Sequence, residues 1–343
     1  MLGLGKSQAT VDAVESKPKR SWSLRRKLLV AVIAIVIVVA LAVGLGVGLT
    51  RGRGDGDDDG DDDDGDAPDG DLPESGPDRE SAWQPRVAES WQIVLREPIK
   101  VDSNLDDLEP DVDVYDLDLF DNDIETFKTL QDAGKKVICY FSAGSWEEFR
   151  QDQDEFDEDD LGKELDGWPG ERWLNLSSSG VRDIMKRRIK IAWQKGCDAI
   201  DPDNVDGYQN DNGLGLTADD SVDFMRFLSE EAKSYKMAIG LKNAGDIIPD
   251  VIDVVDFSVN EQCIEYSECE TFAAFIEADK PVFNIEYPDG APRDISSKVT
   301  DEICSQAGKA RGTEDFSIVI KKMDLDGWVE YCDGDTFSTA LQD

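Results

Sequence analysis

The sequence predicts an α/β protein whose body is a (β/α)8 TIM barrel, preceded by a single transmembrane helix and a disordered acidic linker. Three observations predict it. Eight short apolar, β-branched runs alternate with helix-period segments between Trp91 and Ile320, as parallel βαβ units require. Nearly every run ends in a carboxylate or amide, where a barrel places its site. Ahead of them lie a long apolar stretch and an Asp/Gly-rich segment.

Residues 1–27 form a basic tail in which Lys17, Lys19, Arg20, Arg25, Arg26 and Lys27 crowd the apolar flank. Residues 28–49, LLVAVIAIVIVVALAVGLGVGL, are long enough to span a bilayer and lack the small-residue cleavage site of a signal peptide. Only Arg51 and Arg53 follow, so the positive-inside bias predicts a single-pass, type II protein of the plasma membrane, its body outside. Release from the stalk is left open. Residues 50–82 read as an extended, self-repelling linker with eleven aspartates between Asp55 and Asp71. Asp55, Asp57, Asp59, Gly60 and Asp66 match a calcium-loop register, but no helix pattern flanks them, and the match is assigned to low complexity.

From residue 83 to 343 the chain reads as the barrel domain. The strand candidates are WQIVL from Trp91, VDVYDL from Val112, KVICYF from Lys136 and AID from Ala199. They continue with MAIGL from Met237, VVDFSV from Val254, PVFNI from Pro281 and FSIVI from Phe316. Helices are predicted in DIETFKTLQDAG, in SGVRDIMKRRIKIAWQKG, and in TADDSVDFMRFLSEEAKSYK with its T-x-x-D capping signal. The first connection, REPIKVDSNLDDLEP, is not clearly helical, which keeps a doubly wound sheet as the alternative.

Charge and composition narrow the chemistry. The net charge is −40, of which residues 72–343 carry −36, so nucleic acid is excluded as a partner and polycations are attracted. Histidine is absent, which removes Ser-His-Asp and Cys-His pairs and every His-ligated zinc site. The strand ends offer Asp116 and Asp118, Ser142, Gly144 and Ser145, then Asp201, Asp203 and Asn204, Lys242 and Asn243, Asn260 and Glu261, and Glu286 and Tyr287. Carboxylates facing one bond suit glycoside hydrolysis, and Asp201 and Asp203 share one strand face. An oxygen cluster for magnesium or calcium is the competing reading of the same acids; no metal and no cofactor is assigned. Asp206 reads as a turn or cap residue, and Tyr140 and Phe141 as core.

Six cysteines follow the apolar stretch. Cys263 with Cys269 and Cys304 with Cys332 are the expected disulfides, while Cys139 and Cys197 read as buried thiols or a further pair. Asn175-Leu176-Ser177 is the one N-glycosylation sequon.

The run GCDAIDPDNVDGY departs from family 18 chitinases, D-x-x-D-x-D-x-E, because Val205 stands where their proton donor belongs. Taken together, VICYFSAGSWEEFR, GCDAIDPDNVDGY, AIGLKNAG, FSVNEQC and VFNIEYPD resemble glycoside hydrolase family 114, the endo-α-1,4-polygalactosaminidases. The resemblance implies a (β/α)8 enzyme, anchored by one N-terminal helix as in similar fungal proteins, that cleaves cationic or partly N-acetylated galactosamine polysaccharide of the galactosaminogalactan type. It implies Asp203 and Glu261 as catalytic acids, with Asp203 assigned as nucleophile and Glu261 as acid/base. Asp116, Asp201, Asn204, Lys242, Asn243, Glu286 and Tyr287 are the expected substrate binders. A monomer is expected, and a non-catalytic polysaccharide-binding barrel is the alternative function.

Overall fold

A computed structural model describes residues 72–102 and 108–342. The basic tail, the predicted span 28–49 and the Asp-rich part of the linker lie outside these residues. Among the described residues no helix is long and apolar enough to cross a membrane.

Strand β1 (Trp91–Val94) pairs in parallel with β2 (Val114–Asp118), and every residue of both is buried. Helix α1 (Ile124–Asp132) starts where Asp123 accepts the amide of Thr126, a side-chain cap that supplies a partner for an otherwise unpaired N–H. Strand β3 (Lys136–Ser142) follows. An excursion then builds a separate antiparallel sheet from β4 (Ser145–Glu147), β5 (Leu161–Leu165) and β6 (Trp168–Leu174), in the order β4-β6-β5. Helix α2 (Ser179–Lys195) is capped by Ser178 and stopped by Gly196 at φ 92°, a left-handed conformation glycine adopts without strain. Strand β7 (Ala199–Asp203) leads to helix α3 (Ala218–Ser234), which opens on a Thr217–Asp220 capping box.

Strand β8 (Ala238–Lys242), the short helix α4 (Ile248–Val251) and strand β9 (Phe257–Glu261) come next. Helices α5 (Cys263–Tyr266) and α6 (Cys269–Glu277) separate β9 from β10 (Val282–Glu286), and α7 (Ser297–Ile303) precedes β11 (Ser317–Ile320). A hairpin of β12 (Trp328–Tyr331) and β13 (Thr336–Ser338) ends the fold.

The parallel strands run β1-β2-β3-β7-β8-β9-β10-β11 without a reversal, so no topological switch point exists and the doubly wound alternative is overturned. This is the strand order of a (β/α)8 barrel. Trp91 Nε1 donates to Ser317 O, and Ser317 Oγ to Glu89 O, linking the first and last of the eight strands. Higher up, β12 takes the free edge of β11, and Tyr331 donates back to Trp91 O. The first connection contains no helix among its described residues.

Alternate residues of each strand face opposite ways, and the ladder registers align the inward set. Trp91, Val114, Ile138, Ala199, Ala238, Phe257 and Phe283 form the barrel interior. A second, larger core packs the outer face of the sheet against the helices.

Residues 72–82 correct the predicted linker, because its last part is packed. Gln194 donates to Pro73 O, Trp193 to Pro77 O, and Arg79 to Gly196 O at 2.6 Å. A Cβ on Gly76 would fall 2.0 Å from Trp193 O, so the backbone lies directly on α2. Both expected disulfides are present, and Cys139 is bonded to Cys197, which settles the reading left open for that pair.

Candidate active site

The inward set that fills the barrel low down ends at the mouth in Asp118, Ser142, Asp203, Lys242, Glu261 and Tyr287. Asp203 ends β7. Its Oδ2 accepts from Tyr140 OH at 3.0 Å and Lys242 Nζ at 3.2 Å, and its Oδ1 from the Asn204 amide at 2.6 Å. Glu261 ends β9. Its Oε1 accepts from Tyr287 OH and its Oε2 from Asn243 Nδ2 at 3.1 Å. Asn243 Oδ1 also accepts the Glu261 amide, so one side chain clamps both the backbone and the carboxylate of that residue.

Lys242 joins the two acids. Its Nζ sits 3.2 Å from Asp203 and 3.6 Å from Glu261, with only 2 % of the residue exposed. Burial alone would lower its pKa, but Asp203, Glu261 and Asp201 together hold it well above the usual lysine value. It therefore stays a cation between two carboxylates.

Asp116 and Asp201 lie one inward step below the mouth. Both are 0 % exposed, and apart from each other's carboxyl no donor reaches their oxygens. Burial, then the charge of Asp201, pushes the Asp116 carboxyl well above its ordinary range, so it stays protonated and donates to Asp201. Burial pushes Asp201 up to about 7 against the pull of Lys242. This corrects the expectation that both touch substrate: they have no surface to offer and support Lys242 from beneath.

Glu286 also departs from expectation. It is an even-numbered residue of β10, whose odd-numbered residues Phe283 and Ile285 face the interior, so it points outward. Its Oε1 accepts from the Ile264 amide at the start of α5 and from Asn284, and burial pushes its pKa up to about 7. Asn204, at φ 61°, turns its amide onto Ser142 Oγ and Ser145 Oγ. A Cβ on Gly144 would lie 1.8 Å from Asn204 O, so only glycine lets the β3 and β7 ends meet this closely. Asn175 donates its amide to Asp160 at 3.0 Å, the nitrogen a glycan would need.

Several residues of the site were read otherwise or not at all. Tyr140, expected in the core, holds Asp203; Phe141, its neighbour on the opposite face, is core as expected. Asp206 makes no cap bond and lines the cleft, where burial and then Asp203 push it up to about 6. The β4–β6 excursion supplies one wall of the main cleft. There Glu171 accepts from Ser145 Oγ and is pushed by burial, then Glu147, up to about 7. Phe149 and Trp168 stand 65 % and 54 % exposed along it. Arg150 fixes this wall, bidentate to Asp118 at 3.1 and 2.6 Å and bonded to Glu147 at 2.9 Å. Among the described residues no three acids or cysteines gather closely enough to hold a metal ion.

The mouth forms two adjoining clefts that share Asp206, Asn243 and Glu261. The main one, about 510 Å³, contains both carboxylates; the other, about 380 Å³, lies beyond Glu261 between β8, β9 and α6. Both are of ligand-binding size.

Comparison with known proteins agrees with this geometry. Glycoside-hydrolase family GH114 matches residues 73–337. Aspergillus fumigatus Ega3, solved in complex with galactosamine, is 52 % identical, aligns over 74 % of this chain and 99 % of its own, and superposes with a TM-score of 0.68. The glycoside hydrolase domain of PelA from Pseudomonas aeruginosa shares the fold at 13 % identity, covering 73 % of this chain and 98 % of its own, with a TM-score of 0.51. No curated protein matches. A family match over most of the chain, half its aligned residues identical to Ega3, and two carboxylates at one barrel mouth agree: the chain belongs to glycoside hydrolase family GH114.

Proposed function

We propose that this hydrolase cleaves α-1,4-linked galactosamine polymers, free or partly N-acetylated, within the chain, with Asp203 as nucleophile and Glu261 as acid/base. The observation that carries the reading is the contact of one ammonium, Lys242, with carboxylates from two strands. Contacts of 3.2 and 3.6 Å to one nitrogen keep the two facing oxygens within about 6.8 Å of each other, which favours a retaining pair, near ~5 Å, over an inverting one at roughly 6.5–9.5 Å.

In this reading Glu261 gives its proton to the glycosidic oxygen as the bond to the anomeric carbon breaks and Asp203 bonds that carbon. Water then attacks the glycosyl ester, giving its proton to Glu261 and freeing Asp203. Tyr140 and Asn204 orient the nucleophile; Asn243 and Tyr287 orient the acid. The galactosamine bound to Ega3 and the acidity of this chain, −36 over residues 72–343, support a cationic substrate. Type II anchorage at the plasma membrane, with the barrel outside as a monomer, belongs to the same proposal and rests on sequence alone.

The test compares the full-length protein with its Glu261→Gln and Asp203→Asn variants on partly deacetylated α-1,4-galactosamine polymer, following new reducing ends. Cleavage by the parent, with a loss of about 10³-fold or more in each variant, is expected. Equal cleavage by all three discards this pair of acids. Binding without cleavage by the parent overturns the enzyme in favour of a binding barrel.

A further inference from the structure

The two clefts differ in chemistry. The main cleft mixes acids with Arg96, Arg150 and Lys242 and is flanked by Phe149, Trp168 and Met323. The second cleft contains Asp206, Asp246, Glu261 and Glu268 and, among its lining residues, no lysine or arginine. Partial burial, then the charge of Asp246, raises the Glu268 pKa, so the protein itself leaves the repulsion between these two acids uncompensated. At the floor of this cleft Asn260 is 1 % exposed, and its Oδ1 accepts no hydrogen bond. A buried acceptor without a donor is costly unless a ligand supplies one.

We infer that the second cleft is a subsite for one free hexosamine ammonium, held by Asp246 and Glu268, with a donor from the same sugar residue meeting Asn260 Oδ1. An ammonium carries three donors and one positive charge, and an N-acetyl group keeps a single N–H and no charge. The inference rests on the proposed carboxylate roles, and those roles fix the polarity. The second cleft borders Glu261 and not Asp203. The acid stands beside the leaving oxygen, so the sugars on its side belong to the departing chain. That chain begins with the non-reducing end created by the cut. The enzyme therefore cuts where the leaving portion presents a free amine and tolerates N-acetyl groups in the apolar-walled main cleft.

The test digests a partly N-acetylated α-1,4-galactosamine polymer with the full-length protein and sequences the products by mass spectrometry. The parent is expected to enrich free amines at or next to new non-reducing ends by roughly 10-fold over the polymer's own composition, about one good charged contact. Asp246→Asn with Glu268→Gln is expected to erase the enrichment and raise KM for a fully deacetylated oligomer about 10-fold. Glu268→Asp, which keeps the charge, retains most of it. Random ends from the parent, or enrichment that survives the double substitution, overturn the subsite while leaving the glycosidase intact. Absence of any cleavage by the parent overturns the glycosidase reading and the subsite with it.

Discussion

Lys242 stands between Asp203 and Glu261 and above Asp201, so its charge sets how readily its neighbours ionise. Replacing it with methionine removes the positive charge that pulls the Asp201 pKa down and leaves the acids facing one another. The expected result is a fall in kcat/KM of roughly 10²–10³-fold, the usual cost of removing one preorganised electrostatic partner. The acid limb of the kcat/KM–pH profile should also move to higher pH, because Asp201 loses the cation that pulls its pKa down and becomes harder to ionise. A profile that drops without moving would show that Lys242 only positions the acids. At this scale the strand ends were readable from sequence, and alternation said more than was drawn from it. The same two-residue period that puts Asp201 beside Asp203 puts Glu286 on the outer face, under α5. Tyr140 was legible by that rule too, since it shares a face with Ser142 at the mouth.

The excursion between β3 and α2 is the element the sequence reading passed over, and its signal was present. Asp166-Gly167 joins β5 to β6, with Gly167 at φ 97°, and an Asp-Gly pair between two strands is a strong two-residue hairpin signal. Its strands, LGKEL and WPGERWL, carry so much charge that they lack the apolar alternation that marks a half-buried strand. They could not be told from loop because one face of this sheet lines the open cleft rather than the core. The α3 cap and all eight parallel strands, by contrast, are local patterns and appeared where expected. Disulfides are elements of another kind. Cys139–Cys197 closes 58 residues that include this excursion, whereas Cys263–Cys269 closes 6. Chain entropy predicts about 4 kcal/mol for the first and about 2 for the second. Urea unfolding of the two double-alanine variants should rank them in that order; the reverse order would place the main constraint in the α5 loop beside Glu261.

The whole barrel carries an unusual set of buried titrating groups, and together they make its stability depend on pH. Asp201, Glu171 and Glu286 are each pushed to about 7, chiefly by burial, and burial also raises Asp116 well above the ordinary carboxyl range. In the unfolded chain such carboxyls titrate near ~4. Between those values the folded state holds protons that the unfolded state has lost, so this contribution is complete below about pH 4 and disappears as pH rises through 7. Lys321 acts in the opposite sense. It is buried against Gln92 and Asp326 O with its pKa pushed down to about 7, so its contribution is complete above the free lysine value and is lost as pH falls through 7. Three carboxyls near 7, with Asp116 raised as well, outweigh one lysine. The fold should therefore be more stable at pH 5 than at pH 7.5, by a margin on the order of 5 kcal/mol in urea unfolding. The net charge of −36 over residues 72–343 favours the same direction through self-repulsion, but that part is screened by salt while the buried part is not. Repeating the measurement at high ionic strength separates them. Glu286→Gln keeps an acceptor for the Ile264 amide and cannot titrate, so it should flatten the slope between pH 5 and 7.5 by up to one proton. A slope unchanged in that variant, or one abolished by salt, would assign the effect to the surface and not to the buried acids.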